Sequence, residues 1–208
     1  MSRHQCTHDC SEHAFESSPS DSLYNCIDLD KVFVLNEGEE SAGSKVIKPW
    51  DKRYDDTDIL KSDVDDQLII HIPFTGSVCL KSILVRVFSD GSAPQSVSLF
   101  PNRTDLDFES VDERKPTETF QLPVEGAGSD VLEFPVKTRL YQNMANLNLF
   151  FRRDDGDDEP VEIAFIGLRG TFIPFKGNPI ITLYEAAPRP TSHKLHGVNL
   201  ENRFNALS

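Results

Sequence analysis

The chain has 208 residues and a formal net charge of -13, with 34 acidic side chains against 21 lysines and arginines. This balance argues against direct nucleic-acid binding, which needs clustered basic residues, and an anionic membrane surface would repel the chain. No run approaches the roughly 18 apolar residues of a membrane helix, and the amino terminus lacks the apolar core of a signal peptide. We therefore expect an intracellular protein with reduced thiols.

The first 20 residues form a polar arm rich in His, Cys, Ser and acidic residues. We expect this arm to be disordered, because it has too little apolar surface to offset the entropy lost on ordering. Residues 21–187 are predicted to form one folded domain, whose interior the 14 phenylalanines can help to fill. Residues 188–208 are predicted to form a polar C-terminal tail.

Within the domain, apolar residues recur with the two-residue period of β-strands. A break at residues 38–43 predicts a loop, and Pro73 followed by Gly76 predicts the end of a strand and a turn. The polar connection at residues 152–160 favours an antiparallel hairpin between the strands on either side of it. The main strand candidates are residues 67–72, 78–89, 96–99, 117–122, 131–134, 146–151, 161–165 and 180–184.

Helical periodicity is confined to two short turns, near residues 55–61 and 139–145. Eight or more strands with almost no helix are typical of a single all-β domain. The sequence therefore predicts an antiparallel β-sandwich or jelly roll.

The densest group of metal-ligand side chains lies in the N-terminal arm, at His4, Cys6, His8 and Cys10. Thiolates and imidazoles are the ligands that zinc prefers, so a metal-binding arm is one interpretation. Structural zinc sites usually combine two separated ligand pairs, and no second pair follows here. We favour an arm without a physiological metal, and we expect no other cofactor.

No sequence motif indicates catalysis. The GxSxG elbow, the HExxH zinc motif, the phosphate-binding loop and the GxGxxG fingerprint are all missing from the sequence. His71 lies in an apolar strand, which favours a core or edge histidine over a general base. The acidic run at residues 154–159 is interpreted as a solvated loop, and Cys26 and Cys79 as buried thiols. We therefore predict that the chain is not an enzyme.

Two side chains are candidates for binding a partner, because Trp and Arg are enriched at the hot spots of interfaces. Trp50, the only tryptophan, lies between Pro49 and the charged Asp51. It either anchors a partner or plugs the edge of the sandwich from a loop, and we favour the plug. Arg169, in the segment bounded by Gly167 and Gly170, is the second candidate.

An ordered series of short segments runs along the chain and includes Lys-Pro-Trp at 48–50, Ile-Pro-Phe-Thr-Gly at 72–76 and Ile-Gly-Leu-Arg-Gly at 166–170. Together these segments resemble the PITH domain family, a module named for interaction with the proteasome. Residues 27–29, 35–37, 62–68 and 178–185 continue the match, which covers residues 22–195. No thioredoxin module precedes them, so the chain resembles the stand-alone members of a family that also includes the C-terminal domain of thioredoxin-like proteins.

The resemblance implies a β-sandwich of the galactose-binding-domain-like jelly-roll type and a protein-binding function in the cytoplasm and nucleus. Its implied leading partner is the proteasome regulatory particle, and we expect a monomer. Cys6 and Cys10 have CxxxC spacing, so dithiol redox activity is not implied. The alternatives are a jelly roll that binds a small ligand or glycan, and an indirect regulator of gene expression. The fold name alone licenses no sugar ligand.

Overall fold

The computed structural model describes residues 21–88, 91–123, 130–153 and 160–174. The N-terminal arm, the acidic run at 154–159, the predicted strand at 180–184 and the tail at 188–208 lie outside these residues. The strands are β1 (Phe33–Leu35), β2 (Leu60–Lys61), β3 (Gln67–Val87), β4 (Ser96–Pro101), β5 (Glu118–Gln121), β6 (Leu132–Pro135), β7 (Met144–Arg152) and β8 (Glu162–Ile173). The helices are α1 (Ala42–Val46) and α2 (Phe108–Glu113), with 3₁₀ turns at Tyr24–Cys26, Leu29–Lys31, Trp50–Lys52 and Thr138–Leu140.

The strands form two packed layers that share β3. The first half of β3 pairs with β1 and β7, and β4 and β5 extend this first sheet. The second half of β3 pairs with β6 and β8, and β2 pairs with the outer side of β8 to complete the second sheet. All pairings between these strands are antiparallel. The predicted antiparallel sandwich is confirmed.

One hydrophobic core lies between the two layers. Alternation along β7 and β3 decides which side chains enter it, because successive strand residues point to opposite faces. On β7, Leu147, Leu149 and Phe151 are buried in this core. The other buried strand residues include Leu68, Ile70, Ile72, Ile83, Val85, Val87, Val97, Leu99, Ile163, Ile166 and Leu168.

Strand β3 does not end at Pro73, so the prediction of two strands separated by a turn was wrong. The pairing with β7 shifts register between Pro73 and Val78, and the strand bends there instead of stopping. A proline is tolerated at such an irregularity because the ladder does not need its missing N–H. A Cβ at Gly76 would lie 2.5 Å from the Phe172 ring, so glycine permits the close approach at the bend.

The predicted hairpin between the strands flanking residues 152–160 was also wrong. Strand β3 lies between β7 and β8 in the strand order, so these two strands are not neighbours. The polar connection instead joins the first sheet to the second. Local alternation reports that two strands flank a loop, but it does not report which strand each of them pairs with.

Both helices were missed from sequence. Helix α1 begins inside the predicted loop at 38–43, where the Glu37 carboxylate accepts backbone N–H groups from Ser41 and Gly43. Helix α2 has a reciprocal cap, because Asp107 accepts from the Ser110 backbone at 2.7 Å and the Ser110 hydroxyl accepts from the Asp107 backbone at 2.9 Å. Helix α2 covers a second apolar cluster, formed by Ile69, Phe100, Leu106, Val111 and Phe150.

Candidate functional site

Trp50 and Arg169, the two candidates from sequence, line one groove on the outer face of the second sheet. The floor of the groove comes from β3 and β8, because residues that alternate with the core set point outward there. Its walls are the segment before β1 and the loop around Trp50. The lining residues of this Trp50 groove are Ser22, Tyr24, Ile27, Ile47, Lys48, Trp50, Leu84, Phe165, Ile166, Gly167, Leu168 and Arg169.

Trp50 is half-buried against the outer side of the second sheet. Its ring makes an edge-to-face contact with Phe165, with centroids 6.4 Å apart and planes at 68°. A side chain at Gly167 would occupy the space of the Phe165 ring, because a Cβ there would lie 2.8 Å from it. The glycine of the Ile-Gly-Leu-Arg-Gly segment therefore makes room for the aromatic pair. Trp50 covers the outer face of β8 and takes no part in the core between the sheets.

Two arginines and a tyrosine continue the surface beyond Trp50. The Arg53 guanidinium lies 4.2 Å from the Trp50 ring centroid and 4.6 Å from that of Tyr54. Arg86, only 2% exposed, forms an ion pair with Asp56 and donates from Nε to the Arg53 carbonyl oxygen at 2.8 Å. Because β3 fixes Arg86, this arginine fastens the loop that carries Arg53 and Tyr54 to the sheet.

Lys48 fastens the same loop from the other side. Its buried ammonium donates to three backbone carbonyl oxygens, those of Asp55 and Asp58 at 2.6 Å each and that of Ala164 at 3.2 Å. Burial lowers the pKa of Lys48, while the negative charges of Asp55 and Asp58 act in the opposite direction. The ammonium thus joins the loop at residues 55–58 to β8.

Arg169 lies at the opposite end of the groove. Its Nη1 donates to Glu133 on β6 at 2.8 Å, and the Ser82 hydroxyl donates to the same carboxylate oxygen at 2.6 Å. The Arg169 Nε is buried without a hydrogen-bond partner among the described residues. The ion pair with Glu133 joins β8 to β6.

The Trp50 groove is a narrow slot. Its cavity volume is only about 20 Å³. That space holds a single water molecule, because one water needs roughly 10–15 Å³ on this measure. In this conformation the groove is too narrow to hold a sugar ring.

The remaining sequence candidates lie apart from this groove or outside the described residues. His71 Nδ1 lies 2.7 Å from the Asn148 amide oxygen, to which it donates, and the Phe33 ring stacks on the imidazole with centroids 4.7 Å apart. The Asn148 amide nitrogen donates to two carbonyl oxygens, which fixes its oxygen toward His71 and assigns the proton to Nδ1. His71 thus lies on β3 between β1 and β7, and its imidazole is hydrogen-bonded to an amide, so the edge position that the sequence allowed is not the one observed.

The two described cysteines are free thiols and are partly buried, which is less burial than the sequence predicted. Burial raises the pKa of Cys26, so this thiol is poorly nucleophilic at neutral pH. The described residues contain no group of three or more His, Cys, Asp or Glu side chains placed to hold a metal. His4, Cys6, His8 and Cys10 lie outside the part of the chain that the structure describes.

Sequence reasoning missed Arg53, Tyr54, Arg86 and Lys48. Arg53 and Tyr54 follow Trp50 within four positions, so the chain did carry a local signal: three residues of the types that dominate interfaces. No comparable signal exists for Arg86, because alternation along a strand does not distinguish a covered arginine from a solvated one. Its burial depends on the loop that covers it.

The fold of the chain is a β-sandwich of the galactose-binding-domain-like jelly-roll type. The CBM32-3 module of a family 31 glycoside hydrolase from Clostridium perfringens shares this fold, with a TM-score of 0.50 and 14% identity over 70% of this chain and 95% of that one. Identity this low shows the fold alone. No helix in the described part of the chain is long and apolar enough to cross a membrane.

The chain belongs to the PITH domain family, which matches residues 13–188. It is 57% identical over 201 residues to a PITH domain-containing protein of Schizosaccharomyces pombe, covering 97% of this chain and 96% of that protein. It is 34% identical over 183 residues to human PITH domain-containing protein 1, covering 88% and 85% of the two chains. These names describe a domain and state no catalytic activity.

Proposed function

We propose that the chain is a non-enzymatic protein-binding module that associates, as a monomer in the cytoplasm and nucleus, with the proteasome regulatory particle. The observation that carries the binding half is the contiguous surface formed by Trp50, Arg53 and Tyr54, termed here the aromatic-arginine surface. Membership of the PITH family supports the choice of partner. The missing catalytic motifs support a non-enzymatic role.

The aromatic-arginine surface combines a rigid support with an exposed anchor. Lys48 and Arg86 fasten its loop to β8 and β3. Tyr54 is 49% exposed, so its ring is available to a partner. Binding loses less conformational entropy when the contacting side chains are already held in place, and loops on a rigid scaffold are frequent binding sites.

Affinity purification of the tagged full chain from cells, under mild salt, tests this function. We expect subunits of the proteasome regulatory particle to be enriched with the wild type and at least about tenfold depleted with Tyr54→Ala. Leu140→Ala is the matched control, since Leu140 is another large exposed apolar side chain, on the Thr138–Leu140 turn. A folded wild-type bait that repeatedly fails to enrich the particle would refute the proposed partner.

Glycan binding is the second candidate, because the fold neighbour from Clostridium perfringens is a carbohydrate-binding module by name. The narrow Trp50 groove argues against it, since a sugar would have to displace Trp50 from Phe165. Titration with monosaccharides, followed by the fluorescence of the single tryptophan, distinguishes the two functions. A saturable change at millimolar sugar would favour the glycan.

A further inference from the structure

The Arg53 guanidinium lies over two aromatic rings, those of Trp50 and Tyr54. The Arg53 Cζ lies 4.2 Å from the ring centroid of Trp50 and 4.6 Å from that of Tyr54, and the Arg53 Nη1 donates to the Trp50 carbonyl oxygen at 3.0 Å. Ring faces attract a guanidinium and restrict its rotation, so its remaining N–H groups have fixed directions. Arg53 is therefore preorganised as a hydrogen-bond donor.

This preorganised cation has no carboxylate partner among the described residues, although the chain carries 34 acidic side chains. Arg86, Arg114 and Arg169 each form an ion pair with a carboxylate. The Arg53 Nε is buried and makes no hydrogen bond within the described part of the chain. Because this Nε is buried, an external acceptor has to approach the Nη2 group, which makes no hydrogen bond among the described residues.

The two acidic side chains that follow Arg53 in the loop are held elsewhere, and Asp51, two positions before it, is exposed and forms no ion pair with Arg53 among the described residues. Asp55 accepts from the Thr57 hydroxyl at 2.6 Å and from its backbone N–H at 3.0 Å, and these bonds lower the pKa of Asp55. Asp56 pairs with Arg86. Neither carboxylate can turn to Arg53 without losing these bonds, so the guanidinium stays open to an external acceptor.

We propose that Arg53 binds a carboxylate side chain on an acidic segment of the protein partner, while an apolar neighbour of that carboxylate packs on the exposed Tyr54 ring. This contact rests on the proposed protein-binding function and specifies the chemistry of the partner. A guanidinium suits a carboxylate because its planar N–H groups can form two parallel bonds with the two oxygens. The exposed ring supplies the adjacent apolar contact.

The net charge of the chain limits the partner to a short acidic segment. A charge of -13 repels a long run of acidic residues. Ionic screening reduces that repulsion beyond about 8 Å at physiological salt, whereas the contact with Arg53 acts at hydrogen-bond distance. One or two carboxylates flanked by apolar residues therefore fit this surface better than a polyacidic tail.

Nuclear magnetic resonance on the wild-type chain tests this contact directly, because the single tryptophan gives one indole N–H signal beside Arg53. The probes are two synthetic peptides, acetyl-Gly-Leu-Glu-Leu-Glu-Gly-amide and its twin with Gln in place of each Glu. We expect a saturable shift of the Trp50 indole signal with the Glu peptide and at least about tenfold weaker binding of the Gln peptide. Equal binding of the two peptides, or no shift with either, would overturn the carboxylate contact.

Variants separate charge from geometry. We expect Arg53→Gln to abolish binding of the Glu peptide, and Arg53→Lys to weaken it about fivefold or more because an ammonium lacks the planar fork. Arg114→Gln is the matched control, since Arg114 pairs with Asp105 next to α2. Undiminished binding by Arg53→Gln would contradict the assignment.

The failures of the two proposals are distinguishable. Capture of the regulatory particle without discrimination between the peptides would leave the proposed function standing and remove the carboxylate contact. Discrimination between the peptides without capture of the particle would support the carboxylate contact and remove the proposed partner.

Discussion

Replacement of Lys48 by Met removes the ammonium that joins the loop at residues 55–58 to β8. Methionine is unbranched and of similar length, so the substitution deletes three donated hydrogen bonds with little change of shape. Three backbone carbonyl oxygens, at 2.6, 2.6 and 3.2 Å from Nζ, then lose their donor. The variant keeps Arg86 as a second fastening of this loop, so we expect a folded protein.

The magnitude follows from those three bonds. A hydrogen bond to a charged group contributes roughly 1.5–3 kcal/mol, and two short bonds alone give about 3–6 kcal/mol. The desolvation cost of the buried ammonium, which also lowers its pKa, is recovered in the variant and offsets part of this loss. We expect the free energy of unfolding to fall by about 3 kcal/mol.

Urea-induced unfolding at pH 7, followed by circular dichroism, measures this loss. Lys52→Met is the control, because Lys52 is an exposed lysine on the neighbouring Trp50–Lys52 turn. We expect the control to stay within about 0.5 kcal/mol of the wild type. A Lys48→Met protein as stable as the control would show that the three carbonyl oxygens find other donors at no cost, and would refute the reasoning.

Two further predictions concern backbone positions. Gly170→Ala should lower the free energy of unfolding by about 3 kcal/mol in a urea titration, because the new Cβ would lie 2.3 Å from the Cys79 carbonyl oxygen. Gly38→Ala, whose Cβ would lie no closer than 3.4 Å to any neighbour, should have a far smaller effect, and equal effects would contradict the steric argument. Asp107→Ala should lower the midpoint of thermal unfolding at pH 7, because hydrogen bonds from Ser110 lower the pKa of the capping carboxylate. The lowered pKa in the folded state means that the ionised cap stabilises the protein above the unfolded pKa of 3.8, and this stabilisation is lost as pH falls through the folded pKa. The difference in midpoint between the variant and the wild type should therefore vanish in strong acid. A difference that persists there would refute the capping role.

Strand positions and facing were predictable from sequence wherever one face of a strand is buried and the other is not. On β7, Leu147 and Leu149 face the main core while Phe150 packs on the second cluster under α2. Alternation in the sequence predicts these two faces directly, because successive side chains of a strand point to opposite sides of the sheet. The family resemblance then supplied the jelly-roll type.

The helices were less predictable, because each is a single short piece. Five or six residues span too few turns for helical periodicity to appear. Helix α2 did carry its capping residues, Asp107 and Ser110, in the sequence. Helix α1 depends on Glu37, a residue outside the helix whose carboxylate meets the first backbone N–H groups only in the folded chain.

By itself, the sequence determined an antiparallel β-sandwich and pointed to Trp50 and Arg169 as surface candidates. Only the tertiary structure showed that β3 continues through Pro73 into the second sheet and separates β7 from β8. Those features depend on pairing between strands that are distant in sequence, and the alternation within one strand does not predict which strand it pairs with. Only the tertiary structure places Arg86 beneath the loop after Trp50 and Arg53 over the rings of Trp50 and Tyr54. Within the described residues, the Arg53 Nε is buried there without a hydrogen-bond partner.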